Sequence, residues 1–324
     1  MDRRTLLATL ASGTALAAAP FARAQDYPSQ LIRWVVPYPA GGGTDVIARA
    51  LAEAMRQTLG QQIVIDNRPG ASTNIGADLV AKSKPDGYTV LSADNAVLAF
   101  NEYLFSKLPF NPEKDFTYVG AIGKFPLALV VHPDFPAKNF RDFLAYVKAN
   151  PGKVNYASPG NGSPHHLAME MFKVRTGTFI THIPYRGAAP AMADVMGGQV
   201  PCMFLDLASG LAIMKSGKVR VLAIGSGARS KLLPEVPTLA EVGVPNSEVF
   251  AFQGVLGPAG LPAPVVNRLN ADLNKAFGNP QVQKRFEDFG MEAMPGTPAQ
   301  FVALSRAESK RWGPIIQQAG IKLD

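Results

Sequence analysis

The chain has 324 residues, of which 47% are hydrophobic and 18% charged, with 32 Lys+Arg against 25 Asp+Glu and a single cysteine. That length exceeds what one hydrophobic core ordinarily reaches, so two lobes are expected. The lone Cys202 excludes a disulfide framework and Cys-based zinc sites, and a positive excess with no Lys/Arg cluster among aromatics excludes nucleic acid as a partner.

The first 25 residues have the layout of a secretory signal peptide. Arg3 and Arg4 precede an apolar stretch from Thr5 to Ala19, and Ala22-Arg23-Ala24 fits an A-x-A cleavage site. Cleavage is expected after Ala24, leaving an exported, soluble protein with 29 basic residues against 24 acidic, a net +5, once three arginines and one aspartate are removed. The arginine pair before Thr-Leu-Leu is compatible with twin-arginine export as well as with an ordinary Sec signal, and both stay open. The apolar stretch falls short of the roughly 20 residues a membrane span needs. No later run comes close, since "FPLALVV" at 125–131 is strand-sized.

Strands and helices then alternate. Residues 30–38 read as a strand, and 44–59 as a helix with Ile47, Leu51, Ala54, Met55 and Leu59 on one face and Gly60 as its stop. Strands at 61–67 and 88–93 flank a helix at 74–84. Residues 117–133 form one long strand bent by Gly123 and Pro126. Helices at 139–150, 165–177, 188–198 and 209–217 alternate with strands at 154–158, 179–185, 200–207 and 219–225. A loop-rich stretch, 226–247, leads to a strand at 249–260, and helices at 263–277, 280–289 and 298–318 close the chain. Such alternation predicts an α/β fold with parallel-dominated sheets and ligand sites at strand ends beside helix starts. The long strand near 120–130 and the loop 226–250 are the expected crossings between lobes. The expected division is 26–124 with 249–324 for the first lobe and 125–248 for the second. Cys202, in "QVPCMFLDL", is expected to be buried.

Four loops are able to carry chemistry. Gly41-Gly42-Gly43 stand directly before the 44–59 helix, so free N–H groups and the positive end of the helix dipole face a loop without Cβ atoms. That is an anion cradle using no charged side chain. The stretch lacks the third glycine of a dinucleotide fingerprint, even though Asp66 ends the next strand where a ribose-binding acid would stand, and no Walker loop occurs. Thr44 or Asp45 is expected to cap the helix. "SPGNGSPHHLAMEMF" at 158–172 repeats the design with Ser158, Gly160 and Gly162, Ser163 as N-cap and Pro164 in the first helical position. A metal reading of the adjacent histidines would need Glu170 beside His166, and a nucleophile reading would pair Ser163 with His166. The preferred reading makes His166 a helix-start histidine donating to a ligand. In "PYRGAAPAMADVMGGQV", Arg186 is placed to meet a carboxylate bidentately or to pair with Asp194. Asp206 ends the following strand, to bind a ligand amine or hydroxyl or to cap the next helix through Ser209. "NRPGASTNIG" offers Ser72, Thr73 and Asn74, the last also an N-cap candidate.

Taken together, "VPYPAGGGTDVIAR", "VIDNRPGASTNIGADLVAKSKPDGYTVL", "YASPGNGSPHHLAMEMF", "IPYRGAAPAMADVMGGQV" and "LPEVPTLAEVGVP" resemble the extracytoplasmic solute receptors of tripartite tricarboxylate transporters, the Bug family. The likeness covers essentially all of the mature chain. It departs at Ala71-Ser72-Thr73, where a more glycine-rich loop is common, and in the doubled histidines 165 and 166. The resemblance implies a two-lobed periplasmic-binding-protein fold, monomeric, that closes on a small carboxylate. It implies that backbone amides of the 38–45 and 158–163 loops, including Tyr38, Ala40 and Gly41 to Thr44, hold one carboxylate with ordered waters, while Arg186 and Asp206 border the rest. A membrane permease of one large and one small subunit is the implied partner. No cofactor, metal or covalent chemistry is expected. Two alternatives from other classes are an exported enzyme using His166 or Asp206 as acid/base, and a sensor presenting its ligand to a membrane kinase.

Overall fold

The computed structural model describes residues 27–324, so the expected signal peptide and its cleavage site lie outside the described residues. Strand β1 (Ile32–Val36) is a β-branched run buried on both faces except at Arg33. Helix α1 (Gly43–Leu59) buries Ile47, Leu51, Ala54, Met55 and Leu59 along one stripe, the 3.6-residue spacing seen in sequence. It stops at Gly60, whose left-handed φ of 73° lets its N–H return to Arg56 O. Strand β2 (Ile63–Asn67), helix α2 (Asn74–Ala81) and strand β3 (Thr89–Asp94) follow, and β1 pairs with β2 and β3 in parallel. A buried π-helical turn, Ala96–Phe100, then runs into the short helix α3 (Asn101–Leu104).

Strand β4 (Phe116–Val131) leads to helix α4 (Phe140–Ala149), strand β5 (Asn155–Ser158), helix α5 (Pro164–Thr176), strand β6 (Thr181–Pro184), helix α6 (Ala188–Met196), strand β7 (Cys202–Asp206), helix α7 (Leu207–Lys215) and strand β8 (Arg220–Ile224). Strand β9 (Phe250–Pro258) brings the chain back, and helix α8 (Ala263–Ala276), helix α9 (Pro280–Asp288), strand β10 (Glu292–Ala293) and helix α10 (Pro298–Gln318) complete it.

The ten strands among the described residues belong to one continuous sheet of order β2-β1-β3-β9-β4-β7-β5-β6, with β8 and β10 attached to β4. Strand β4 is common to two halves: Phe116–Pro126 pairs with β9, and Leu127–Val131 pairs with β7 and β8. The expectation of parallel-dominated sheets therefore holds only for the outer strands. Every pairing of β4 and β9 is antiparallel, because these two strands traverse the molecule in opposite directions and are not joined by βαβ crossovers. Trp34, Phe100, Tyr156, Phe172 and Trp312 belong to one large core cluster that runs through both halves. A smaller cluster of Met203, Leu205, Leu207 and Leu211 lies under α7. Cys202 is fully buried as expected, its Sγ 3.3 Å from Asn155 O.

The arrangement that matters for function is repeated four times. Strands β1, β5, β6 and β7 each end in a short loop that opens α1, α5, α6 and α7 respectively.

Candidate functional site

The four helix starts meet around a cavity of about 320 Å³. Gly41 to Thr44 come from α1, Ser163 to His165 from α5, Arg186 to Pro190 from α6, and Asp206 from α7. The two halves touch here. A Cβ added to Gly43 would stand 3.4 Å from Ala208 Cβ and 3.7 Å from Asp206 Oδ1. Beside the cavity a second groove of about 770 Å³ is lined by the 69–73, 159–163 and 184–187 loops, and Ser72 Oγ donates across it to Asn161 O at 2.7 Å.

The four starts differ in how their first-turn N–H groups are used. Ser163 caps α5, its Oγ accepting from His166 N at 3.3 Å, and Pro164 supplies no N–H. Asp206 caps α7 by accepting from Ser209 N and Ser209 Oγ, each at 2.7 Å. Helices α1 and α6 have glycine caps, Gly42 and Gly187, with no side-chain bond. Their first-turn amides have no intrahelical partner, so α1 and α6 are the two helix starts at the cavity without a capping side chain, whereas α5 and α7 each have one first-turn amide engaged. Exposed Arg186 stands at its edge.

Of the sequence-predicted residues, Tyr38, Ala40, Gly41, Gly42, Gly43, Thr44, Ser163, Arg186 and Asp206 line the cavity, while Ser72, Thr73, Gly160 and Gly162 line the groove. Asp45, Asn74, Ser158 and His166 line neither. Several expected roles are corrected by the bonds these residues make. Neither Thr44 nor Asp45 caps α1. Asp45 is turned inward, accepting from Gly41 N at 3.0 Å and Asn67 Nδ2 at 2.9 Å and pairing with Arg49. The Gly41 amide is thereby taken. Gly162 N donates to His166 Nδ1 at 3.1 Å, and Gly160 N to Ser158 Oγ at 3.2 Å, so the 158–163 loop spends these amides on itself. Asn74 is the first residue of α2, with Thr73 in the cap position, and its Oδ1 accepts from Asn101 Nδ2 at 2.7 Å. His166 is buried in a stack with Tyr156 and His182, and burial together with nearby Lys173 lowers its pKa to about 4. The acid expected beside Arg186, Asp194, instead accepts from Tyr185 Oη at 2.6 Å.

Three polar residues that line the cavity were not among the predicted site residues. His165, one position before the histidine favoured from sequence, has its Nε2 2.9 Å from Asp206 Oδ2. Burial alone would raise the Asp206 pKa, but His165 and the Ser209 donors outweigh it and hold the carboxyl below its ordinary range. Asp94 accepts from Tyr38 Oη at 2.6 Å and from Ala96 N at 3.1 Å, and burial raises its pKa despite those donors. Gln253 pairs with Asp94 across β9 and β3. The position of Asp94 at a strand end was a usable signal, and so was a lone amide inside the apolar "VFAFQGVLG".

Among the described residues no three His, Cys, Asp or Glu side chains are grouped to hold a metal ion. Glu170, which a metal reading needs, accepts from Tyr156 Oη at 2.6 Å and pairs with Lys173 at 2.7 Å. No described helix is long and apolar enough to cross a membrane.

Comparison with known proteins agrees with this geometry. Residues 47–321 match the family described as "Tripartite tricarboxylate transporter family receptor". Protein BugT of Bordetella pertussis is 37% identical over 326 residues, covering 100% of both chains. An R. palustris protein solved with adipate superposes with a TM-score of 0.88 at 34% identity, covering 92% of this chain and 100% of its own. MatC from Rhodopseudomonas palustris, with bound malate, gives 0.85 at 31% identity over 90% of this chain and 100% of its own. The fold is that of periplasmic binding proteins, and the chain belongs to the tripartite tricarboxylate transporter receptor family, the Bug solute-binding receptors.

Proposed function

We propose that this protein is a periplasmic receptor that captures a small organic carboxylate in the cavity and delivers it to a permease of one large and one small membrane subunit. The observation that carries the reading is the pair of uncapped helix starts, α1 and α6, open to one cavity from the two halves of the sheet. Each presents main-chain donors and a positive dipole end, and together they satisfy an anion without a buried countercharge. Relative to the sequence reading, the second set of donors shifts from the 158–163 loop to Ala188 and Ala189. Arg186 at the rim draws the anion in. Residues 26–124 with 249–324 form one lobe and 125–248 the other, and closure about β4 and β9 traps the ligand. The similar proteins solved with adipate and malate support a ligand of that class. A binding role is supported by the bonds at two of the candidate groups: Ser163 Oγ donates to Gly160 O at 2.8 Å, and His166 Nδ1 accepts from Gly162 N at 3.1 Å.

A thermal-shift panel of di- and tricarboxylates, amino acids, aromatic acids, sugars and divalent metals tests this. A ligand at 100 times its dissociation constant stabilises by about 2.7 kcal/mol, a rise in Tm on the order of 5 °C for a chain of this size. A shift with sugars or metals and none with any carboxylate overturns the reading.

A further inference from the structure

The groove beside the cavity is crossed by the bond from Ser72 Oγ to Asn161 O, and the backbone that presents Ser72 is unusual. Ala71, Ser72 and Thr73 have φ of 46°, 51° and 77°. Three successive non-glycine residues thus occupy the left-handed region, where each Cβ crowds the following carbonyl. Single residues visit it, but a run ending in β-branched Thr73 persists only if its surroundings hold it. Asn101 supplies the hold. It is fully buried, and its Nδ2 donates to Ser72 O and to Asn74 Oδ1, each at 2.7 Å. A carbonyl oxygen only accepts, so the amide edge facing Ser72 is the N–H edge. Asn101 is itself placed by the π-helical turn, its N–H bonding back to Ala96 O. Across the groove the receiving tip is closely fitted. A Cβ on Gly162 would stand 3.1 Å from Leu323 Cδ1, 3.2 Å from Leu104 Cδ1 and 3.4 Å from Ser72 Cβ.

We propose that Asn101 is a positioning residue for ligand retention: it braces the left-handed run 71–73 so that Ser72 reaches Asn161 and latches the two halves beside the cavity. Asn101 lines neither the cavity nor the groove, so it acts through Ser72 and touches no ligand. A contact made between the halves after the ligand has entered governs escape rather than entry. The inference rests on the carboxylate-receptor reading and adds to it what sets the ligand's residence time.

Stopped-flow association and dissociation of adipate and of malate, each measured in turn, test it. In Asn101→Ala dissociation should quicken about fivefold, the worth of one lost hydrogen bond, while association stays within about twofold. Ser72→Ala should do the same, and the double variant should dissociate within about twofold of either single one, because both remove the same latch. Ala71 is exposed, so Ala71→Val adds β-branching to the run without disturbing the core. It should likewise quicken dissociation about fivefold, and it serves if Asn101→Ala does not fold. Unchanged dissociation in Asn101→Ala or Ala71→Val, losses that multiply in the double variant, or slowed association with unchanged dissociation each overturns the inference but leaves carboxylate capture standing. Failure of both acids to bind the unmodified protein removes both.

Discussion

Acidification should destabilise the protein through one buried pair of histidines. His166 and His182 stack with ring centroids 4.1 Å apart, and Tyr156 lies 4.7 Å from His182. Burial, and then Lys173, lowers the His166 pKa to about 4. Burial, then His166 and Lys173, lowers that of His182 to about 3 against the opposing pull of Glu170. In the unfolded chain both return to about 6.5. Above that pH both states are neutral and the pair is without effect. Below it the unfolded chain binds protons the native stack refuses, so stability falls as pH drops from about 6.5 towards the native values, at up to about 1.4 kcal/mol per pH unit for each ring. Between pH 7 and 5 each fully buried ring would cost about 2 kcal/mol; as His182 is only half-buried, the pair together costs roughly 2–4 kcal/mol. Urea unfolding of the unliganded protein at several pH values measures this. His182→Gln, which keeps a hydrogen-bonding partner for Ser158, should flatten the profile by roughly 1–2 kcal/mol over that interval, the carboxylates being the same in both proteins. If the two curves stay parallel, the stack is not what sets the acid sensitivity.

Ser72→Ala removes the 2.7 Å bond to Asn161 O that joins the two halves. It should weaken ligand binding about fivefold, equivalent to about 1 kcal/mol of closed-form stability, and unchanged affinity by titration would show that closure does not depend on this bond. Gly254→Ala places a Cβ 2.1 Å from Phe301 Cζ in the core. The overpacking should cost about 3 kcal/mol, readable as a fall in Tm, and a variant melting with the wild type would refute it. Burial pushes the Cys202 thiol pKa up, so a disulfide-exchange reagent should leave the native protein unmodified and label it fully in urea; rapid labelling of the native state would contradict the burial.

The fold was legible because its elements are strongly periodic. The stripe Ile47, Leu51, Met55, Leu59 and the stop at Gly60 mark α1 almost to the residue, and Pro298 to Gln318 was bounded correctly. The π-helical turn was missed because "AVLAF" is apolar all round and buried all round, so no period marks it. The antiparallel centre was missed because strand direction follows from tertiary routing, which local pattern does not encode. At the site, sequence located the loops but not the allocation of their donors. Gly41 and Gly160 look as available as Gly43 until Asp45 and Ser158 are seen to claim their amides. His166 was preferred over His165, yet one step along α5 turns a side chain by about 100°, enough to send one into the stack and the other to the cavity wall.

Strand β4 has a consequence for how the molecule comes apart. Its two ends are ladder partners in different halves, and neither half has a complete sheet without it. Cutting the chain between them would strip hydrogen-bond partners from both fragments at once. Melting should therefore be a single event in the calorimeter, and excised halves expressed separately should be insoluble.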